Sequence, residues 1–442
     1  MTGRVAFITL GCKLNYSESS TLSREFVEHG FRAVKAVEGA DVFVINTCSV
    51  TDTADKKCRN IIRKVQKISP GAVIAVTGCY AQLKPQEILD IDGVDIVTGA
   101  QDKKRVYELV AELLEKRAAG IPTAPAAFSC DYDGIDAIFP AFSTGERTRS
   151  FLKVQDGCDY HCSYCTVWLA RGRSRNIPIS TIVSQAREAA AEGVKEIVLT
   201  GVNIGDFGKS TGESFLDLLK ALNGVEGIER YRISSIEPNL LTEEILRWIA
   251  TGTKFLPHFH IPVQSGCDKT LKAMHRRYTA KMFEDKISLV RDILEPADER
   301  YTRVFFGIDV IVGFPGETEE DFMETYNLLS RVRPAFLHIF PYSRRDDTEA
   351  AARPDQLTAA VKAERVARLE ELSDRLHAEF CAANAGRSAS VLFESKQKDG
   401  VMSGYTGNYI RVERPYDPAL IGRIVKLTLS DRITETNDTQ EN

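Results

Sequence analysis

The 442-residue chain has no long apolar run, only two tryptophans and a slight excess of acidic residues. No stretch approaches the roughly 18 consecutive apolar residues that a membrane-spanning helix needs, so we expect no contact with a membrane. The first residues also lack the charged segment and apolar run of a secretion signal. These absences predict a cytoplasmic protein. The net charge of −5 argues against a general nucleic-acid coat protein, although it leaves room for a local basic surface.

Strand-like and helix-like segments alternate in two long regions, which predicts a multidomain α/β protein. In the first region, short apolar runs between helical segments indicate βαβ units and a parallel sheet. The second region has six strand-like segments, typical of a partial or complete α/β barrel with its chemistry at the carboxyl ends of the strands. A long helix and four short strands follow, and the strands predict a small antiparallel β-barrel. The predicted units are 1–117 for the parallel α/β domain, 118–147 for an Ala- and Pro-rich linker, 148–350 for the central barrel domain, 351–386 for a connecting helix, 387–434 for the small β-barrel and 435–442 for a tail.

Ten cysteines are present, and in a reducing compartment clustered cysteines are more often metal ligands than disulfides. Cys158, Cys162 and Cys165 follow the first predicted barrel strand with the spacing C-x3-C-x2-C. Thiolates are soft ligands that suit iron–sulfur clusters, and so short a loop can wrap three of them around one cubane face. Three ligands would leave one iron open to a cofactor. A zinc site completed by His161 is one alternative, and three unrelated core cysteines are another.

A second set of three cysteines is spread over the first domain. Cys12, Cys48 and Cys79 each lie just past the carboxyl end of a predicted parallel strand. Because those strand ends meet at one sheet edge, where open α/β sheets bind ligands, we expect the three thiols to lie together. The alternative is three separate buried cysteines. Cys58 differs, since it lies on a helix at the spacing of a core-facing residue.

Polar residues and glycines occur at further strand ends of the predicted barrel. Gly201 and Asn203 lie in LTGVN, and Gly313 lies in IVGFPGET. Glu237 and Gln264 follow two more strands. Glycine lets a ligand approach the backbone closely, although either glycine segment alone would be explained as a structural turn.

The two cysteine triplets, the motifs around them and the terminal β-barrel resemble the radical SAM methylthiotransferase family over essentially the whole chain. The matching segments are TLGCKLN, INTCSVTDTADKK, VTGCYAQ, KVQDGC, ARGRSR, LTGVNIGDFG, HIPVQSGCD and IVGFPGET. The resemblance implies a 4Fe-4S cluster on the central triplet, whose free iron binds S-adenosylmethionine (SAM). It implies a second 4Fe-4S cluster on the first triplet, which carries the sulfur to be inserted. One SAM would methylate that sulfur, and another would give the 5′-deoxyadenosyl radical that opens a C–H bond. The implied SAM contacts are the strand-end residues Gly201, Asn203, Glu237, Gln264 and Gly313.

Short words inside these motifs are similar to one branch of the family. Cys12 followed by Lys-Leu-Asn, and the segment NTCSVTDTADKK, resemble enzymes that convert N6-threonylcarbamoyladenosine, on the 3′ side of the tRNA anticodon, to its 2-methylthio derivative. The implied partners are a tRNA anticodon stem-loop, an electron donor and a sulfur source. The alternatives are methylthiolation of isopentenyladenosine in tRNA or of a ribosomal protein aspartate, and a cluster-bearing RNA-binding protein without catalysis.

Basic residues suggest where RNA would bind, because phosphate contacts need clustered lysine and arginine. The last module resembles a TRAM domain, an RNA-binding β-barrel, and its tyrosines could stack on unpaired bases. Three arginines that closely follow the cluster loop could contact SAM or RNA, with ion pairs inside the protein as the alternative. The predicted RNA contacts are Arg171, Arg173, Arg175, Lys396, Lys398, Tyr405, Tyr409 and Arg411.

One position departs from the family pattern. Trp168 lies just after the cluster loop, where family members commonly have proline. Proline fixes φ and lacks an N–H donor, whereas tryptophan does neither and is much bulkier. The resemblance therefore leaves the packing beside the cluster loop open, without affecting the cysteine ligands.

Overall fold

The computed structural model describes residues 3–49, 51–145, 148–295 and 302–430. The predicted tail over 435–442 and the last residues of the predicted β-barrel, 431–434, lie outside this part of the chain. Every helix in the described part is too short or too polar to cross a membrane. Three units follow one another: a parallel α/β sheet, an α/β barrel and an antiparallel sheet.

The N-terminal unit is a parallel sheet covered by helices. Its strands are β1 (Arg4–Thr9), β2 (Arg32–Ala33), β3 (Val42–Thr47), β4 (Val73–Gly78), β5 (Ile96–Thr98) and β6 (Ala126–Phe128). Its helices are α1 (Lys13–Glu28), α2 (Asp52–Ile68), α3 (Cys79–Leu83), α4 (Pro85–Leu89) and α5 (Val106–Ala118). The strand order is β2-β1-β3-β4-β5-β6. Strands β3 and β4 are buried along their whole length, as apolar strands between two helical layers must be.

The sixth strand lies inside the segment that the sequence predicted to be a linker. Strand β6 pairs in parallel with β5 and extends the sheet. The prediction of a linker over 118–147 is therefore wrong for Ala126–Phe128. The alanine-rich segment has no polar/apolar period, but the edge of β5 supplies the hydrogen-bond partners that fix an extended chain.

The central unit is a partial barrel of parallel strands. Its six barrel strands are β7 (Arg149–Lys153), β10 (Glu196–Thr200), β11 (Arg230–Ile233), β12 (His258–His260), β13 (Phe305–Val312) and β14 (Phe336–Pro341), and β8 (Gln155–Asp156) pairs with β9 (Arg175–Asn176) beside them. The helices are α6 (Val167–Arg171), α7 (Ile179–Ala191), α8 (Phe215–Asn223), α9 (Glu243–Ile249), α10 (Asp268–Ala273), α11 (Ala280–Leu294), α12 (Glu319–Val332), α13 (Glu349–Ala352) and α14 (Ala359–Asn384). The barrel strands run in chain order, with isolated bridges joining β11 to β12. The predicted α/β barrel is confirmed as a partial one.

The side chains of the barrel strands alternate between two environments. Leu152 and Ile197 belong to the apolar core formed with the surrounding helices. Residues at the intervening positions point to the barrel interior, because successive side chains of a strand face opposite sides. There Glu196 and Arg232 form a buried ion pair of 2.7 Å across neighbouring strands. The interior of the barrel therefore contains charged side chains.

The N-terminal unit spans the open side of the partial barrel, between β7 and β14. Helix α1 packs along β7, where the ring of Tyr16 meets Phe151 edge to face at 5.7 Å. On the other side, Arg345 follows β14 and donates hydrogen bonds to Ser49 Oγ at 2.7 Å and to Asp55 Oδ2 at 2.8 Å. The carboxyl end of the first sheet thus meets the mouth of the barrel.

The C-terminal unit is an antiparallel sheet of four strands. They are β15 (Ser388–Lys398), β16 (Val401–Thr406), β17 (Arg411–Pro415) and β18 (Ile424–Thr428), in the order β17-β16-β15-β18. No pairing joins β17 to β18 within the described residues, so the sheet is open where the sequence predicted a barrel. Arg230 Nη1 donates to the carbonyl of Ser390 at 2.9 Å, and Arg149 pairs with Glu394. The sheet therefore packs at the amino ends of the barrel strands, away from the mouth.

Candidate active site

The first cysteine triplet is gathered at one edge of the N-terminal sheet. Cys12 precedes α1, Cys48 follows β3 and Cys79 begins α3 directly after β4. Gly11 has φ +97°, and a Cβ there would lie 2.6 Å from the Cβ of Cys48, so glycine allows Cys48 to stand beside Cys12. The charge of Cys12 also acts on Cys79. The predicted convergence of these thiols is what the structure shows.

The second triplet lies in the loop after β8, at the mouth of the barrel. Burial raises the pKa of Cys158 to about 12, and the neighbouring Cys165 and Cys162 add to the shift. Backbone N–H groups already point at the sulfurs: Tyr160 N donates to Cys158 Sγ at 3.3 Å, and Val167 N donates to Cys165 Sγ at 3.4 Å. Such donors stabilise thiolates in iron–sulfur sites.

The two triplets meet across the interface between the two units. Thr166, next to Cys165, donates a hydrogen bond of 3.4 Å to the carbonyl of Ser49, next to Cys48. Helix α6, which follows Thr166, packs on α3, which begins with Cys79. Both sets of thiols therefore border the same space between the sheet edge and the barrel mouth.

The thiols of neither triplet are drawn together as they would be around a single bound ion. A zinc ion with Zn–S bonds of about 2.3 Å would draw its thiolates to within about 4 Å of one another. Within the described residues, the three donors that come within 4.8 Å of one another are those of His260, Asp309 and His338, and neither cysteine triplet does. The donor chemistry of the two triplets, three soft thiolates each, fits an iron–sulfur cluster.

Arg171 joins the two units from a buried position. The sequence predicted that Arg171 contacts SAM or RNA. The prediction of an RNA contact is wrong, because the residue is only 3% exposed. Arg171 instead donates hydrogen bonds to Asn15 Oδ1 at 2.6 Å, to Asp156 Oδ1 at 2.9 Å and to Glu18 Oε1 at 3.1 Å. Arg171 therefore forms ion pairs inside the protein, as the alternative interpretation proposed.

The buried ion-pair network around Arg171 carries an excess positive charge. Glu18 also binds Lys103 and, at 2.8 Å, Lys153, so three cations share the carboxylates of Glu18 and Asp156. Burial raises the pKa of Cys79, while the charges of Arg171 and Lys103 and a hydrogen bond from Arg171 oppose the shift. The excess positive charge of the network thus acts on the thiol of Cys79 in the first triplet.

Arg276 plays a corresponding part at the second triplet, and nothing in the sequence singled it out. Its Nη1 donates to Cys162 Sγ at 3.1 Å and its Nε to Tyr278 Oη at 3.1 Å, while Nη2 pairs with Glu237. Burial raises the pKa of Glu237, against the opposing charge of Arg276. The predicted SAM contact Glu237 is therefore held beside the cluster loop.

Two asparagines offer unpaired polar atoms near the same loop. Neither the amide nitrogen nor the amide oxygen of buried Asn203 has a hydrogen-bond partner. Asn239 donates to Tyr160 Oη at 2.9 Å, but its Oδ1 is buried and unpaired. Unpaired buried amides are costly unless a ligand satisfies them, so these atoms fit a polar cofactor such as SAM. Asn239 was missed, although it lies two residues past Glu237 in the sequence.

The two predicted glycines make room for side chains of the protein itself. A Cβ on Gly201 would lie 2.9 Å from Gln155 Oε1, and a Cβ on Gly313 would lie 2.5 Å from Lys362 Cγ. Each glycine thus has a side chain of the protein close to its Cα. Gln264 has φ 62° and bonds its backbone to strand β13. The structure gives these three residues packing and backbone roles.

Tyr405 and Tyr409, which were predicted to stack on RNA bases, make their contacts inside the protein. Tyr405 is 7% exposed and stacks on Tyr409 at 4.9 Å, with Arg149 over its ring at 4.9 Å. Arg149 also donates to Tyr409 Oη at 3.1 Å. The prediction that these rings stack on RNA bases is therefore wrong, because they fasten the C-terminal sheet to the barrel.

The other predicted RNA contacts differ in exposure. Arg173, Lys396 and Lys398 are exposed. Arg175 is half-buried and donates to the carbonyl of Arg171 at 3.0 Å. Arg411 pairs with Glu413 at 2.8 Å.

Trp168 is accommodated by an aromatic stack at the cluster loop. Its ring lies parallel to His161 at 4.4 Å and meets Tyr132 edge to face at 5.3 Å. Tyr132 belongs to the segment between the first two units, which therefore packs against the loop. The large side chain of Trp168, at the position of the family's proline, thus packs against these rings rather than against the cysteines.

The interior of the barrel holds polar side chains that the sequence analysis did not assign. His260 Nε2 bonds Asp309 Oδ1 at 2.5 Å, and the His260 ring stacks on His338 at 4.7 Å. The sequence contains a signal for these residues, because ionisable residues occupy inward positions of otherwise apolar strands.

The chain matches two protein-family models. Residues 4–99 match "Uncharacterized protein family UPF0004", and residues 152–329 match "Radical SAM superfamily". The first match covers the sheet with Cys12, Cys48 and Cys79, and the second covers the loop with the other triplet. Each triplet thus falls inside a recognised family region.

Several named proteins resemble the chain over nearly its full length. Threonylcarbamoyladenosine tRNA methylthiotransferase MtaB of Bacillus subtilis is 40% identical, over 96% of this chain and 93% of its own. The protein of the same name from Aquifex aeolicus is 36% identical, over 93% and 96%. A tRNA-2-methylthio-N(6)-dimethylallyladenosine synthase of Acetivibrio thermocellus is 32% identical, over 96% and 87%.

A solved structure shares the fold. The radical S-adenosylmethionine methyltransferase TsrM from Kitasatospora setae superposes with a TM-score of 0.58, over 91% of this chain and 81% of its own. At 15% identity, this likeness concerns the fold alone.

Proposed function

The chain belongs to the radical SAM methylthiotransferase family, and from this membership we propose that it converts N6-threonylcarbamoyladenosine beside the tRNA anticodon to its 2-methylthio derivative. The two relatives named for threonylcarbamoyladenosine are 40% and 36% identical to the chain, against 32% for the dimethylallyladenosine synthase. The observation that carries the proposal is the meeting of two cysteine triplets at one interface.

The reaction needs two separate metal groups because it joins sulfur to an aromatic carbon whose C–H bond offers no practical acid or base site. When bound, the two 4Fe-4S clusters and SAM supply the radical that opens this bond, the sulfur and the methyl group. The residues that would hold them are Cys158, Cys162 and Cys165 for one cluster, Cys12, Cys48 and Cys79 for the other, and Asn203, Glu237 and Asn239 for SAM.

Two arginines position these ligands. Arg276 binds both Cys162 and Glu237, so one guanidinium fixes a cluster ligand relative to the carboxylate on the SAM side. Arg171 binds Cys79, Glu18 and Asp156 and so ties the first triplet to the barrel. An arginine fork suits this task because it presents several donors in a rigid plane.

We place the tRNA contacts on the exposed basic residues Arg173, Lys396 and Lys398, and we treat the C-terminal sheet as a TRAM-like RNA-binding module. Its tyrosines dock the module on the barrel, and its outer lysines, Lys396 and Lys398, are exposed at the surface where phosphate contacts form. An electron donor and a sulfur source complete the set of partners that the reaction needs.

Replacing Lys396 and Lys398 with alanine tests this placement. We expect tRNA affinity to fall several-fold, with the slope of log affinity against log salt reduced by about two. Fluorescence anisotropy with a labelled anticodon stem-loop over a salt series measures both. Lys220→Ala, at an exposed lysine of α8, is the matched control and should bind as wild type does. An unchanged slope in the double variant would show that this module does not contact the RNA.

The proposed reaction is tested by mass spectrometry of tRNA nucleosides after anaerobic incubation with SAM, sulfide and a chemical reductant. We expect 2-methylthio-N6-threonylcarbamoyladenosine, and no product from tRNA carrying isopentenyladenosine or from a ribosomal protein substrate. Absence of the product in protein that holds both clusters would reject the proposal. Product from isopentenyladenosine alone would move the chain to the other tRNA branch.

A further inference from the structure

Three aromatic rings lie together at the surface of the loop that carries the second triplet. The ring of His161 lies parallel to Trp168 at 4.4 Å, with an angle of 12° between the ring planes. Tyr132 meets both rings edge to face, at 5.3 Å from Trp168 and 6.4 Å from His161. These three residues form the aromatic stack. Trp168 covers one face of the imidazole, yet His161 is still exposed, so its ring offers an aromatic surface to solvent.

The aromatic stack borders the interface between the first two units. His161 adjoins Cys162 in the chain, and Trp168 belongs to α6, which packs on α3 of the first unit. Helix α6 begins directly after Thr166, which donates a hydrogen bond of 3.4 Å to the carbonyl of Ser49. The aromatic stack therefore lies at the rim of the space that both cysteine triplets border.

Two exposed arginines flank the aromatic stack. The guanidinium of Arg173 lies 5.8 Å from the ring centre of Tyr132, and that of Arg277 lies 3.9 Å from the ring centre of Tyr160 in the cluster loop. Arg173 also pairs with Asp133 at 3.2 Å, but both side chains are at least 72% exposed, and such a pair is weak. Both guanidinium groups thus remain accessible to a phosphate.

The carboxylates beside the aromatic stack each have a basic partner. The charges of Asp133 and Asp159 act on Tyr132. Asp133 pairs with Arg173, and Asp159 lies 3.7 Å from the ammonium of Lys209. An open aromatic face between cations suits an unpaired nucleotide, because every base has a π face and every phosphate needs positive charge.

We propose that the aromatic stack binds a nucleotide next to the modified adenosine of the anticodon loop, with its base stacked on the open face of His161. This inference rests on the proposed function and names an RNA contact beyond the basic residues given above. The modified adenine must reach the space between the triplets, so its neighbours in the RNA cross the rim at the cluster loop. Bases of a loop are unpaired and stack readily on aromatic side chains.

Binding of three synthetic anticodon stem-loops to the cluster-loaded protein without reductant tests the proposal. One loop carries all its bases, and the other two lack the base on the 5′ or the 3′ side of the modified adenosine. We expect the wild type to bind one of the abasic loops about 5- to 100-fold more weakly, the range for stacking one base on an aromatic side chain. Fluorescence anisotropy measures the three affinities. Equal binding of all three loops would overturn the proposal.

The double variant His161→Ala with Trp168→Leu separates the aromatic stack from other contacts to the same base. Leucine keeps the backbone N–H that Trp168 donates to Cys165. The variant should bind the intact loop as weakly as the wild type binds the abasic loop, and removing the base should then cost nothing more. His161→Phe keeps a flat ring and should retain most of the affinity. A double variant that still loses affinity when the base is removed would contradict the proposal, because another part of the protein would hold that base.

A second histidine and the second tryptophan provide the matched control. His29 follows α1 and stacks on Tyr107 at 4.0 Å, and Trp248 lies on α9. His29→Ala with Trp248→Leu should bind all three loops as the wild type does. Iron content checks that each variant holds both clusters. Slower reduction of the clusters by a flavodoxin in the His161 and Trp168 double variant, with unchanged affinity for the loops, would assign the aromatic stack to a protein electron donor and overturn the proposal.

The proposed function and this inference fail in different ways. If the wild type forms no methylthio product from the intact loop carrying threonylcarbamoyladenosine, the proposed function is wrong, and the inference that rests on it falls with it. If product forms but the three loops bind equally, only the assignment of the aromatic stack is wrong.

Discussion

A variant with Cys12, Cys48 and Cys79 all replaced by alanine forms no methylthio product but still cleaves SAM to 5′-deoxyadenosine. The reason is that the two triplets are separate ligand sets on different units, and the second set is complete without the first. Iron should fall from about eight to about four atoms per chain. Chromatography of both small-molecule and nucleoside products, with an iron assay, measures the three quantities together.

Cysteines outside the triplets provide the matched controls. Cys58 and Cys267 are also buried, at 0% and 2% exposure, but neither joins a triplet. Their alanine variants should keep about eight irons and the full product. Methylthio product from the triple variant would show that the first triplet does not carry the sulfur.

Glu18→Ala should destabilise the protein by about 3–5 kcal/mol, the usual cost of breaking a buried ion-pair network by removing one partner. Glu18 is fully buried and binds Lys103, Lys153 and Arg171. Its loss leaves these three cations with Asp156 alone. The midpoint of urea unfolding, followed by circular dichroism, should fall accordingly.

An exposed pair in the same unit is the control for Glu18. Glu112 pairs with Lys116 on the surface of α5 at 3.9 Å, and Glu112→Ala should cost no more than about 1 kcal/mol. If Glu18→Ala unfolds at the wild-type midpoint, the buried network does not hold the two units together.

Local patterns allowed much of the fold to be predicted from the sequence. The apolar run VIAVTG predicts β4 with both of its bounds, and the helical pattern from Asp52 to Ile68 predicts α2 with both of its bounds. The six strand-like segments of the second region correspond to the six barrel strands. The thiols of Cys12, Cys48 and Cys79 converge because parallel strands end at a common edge, a rule that needs no tertiary detail.

The partners of individual charged residues could not be predicted. Glu18 and Lys103 look like ordinary members of a helix and a loop, and only the docking of two units buries them against Arg171. Tyr405 and Tyr409 alternate with basic residues as RNA-stacking rings would, but the barrel covers them. Such roles depend on contacts between residues 85 to 260 positions apart, which no short-range pattern encodes.

The meeting of the two triplets is tested most directly by the magnetic coupling between two reduced clusters, measured by electron paramagnetic resonance of the anaerobic protein. Because Thr166 contacts Ser49 and Arg171 contacts Cys79, the two sites lie side by side. We predict a spectrum with spin–spin coupling that disappears when either triplet is replaced by alanine. A wild-type spectrum equal to the sum of the two variant spectra would show that the clusters do not share one chamber.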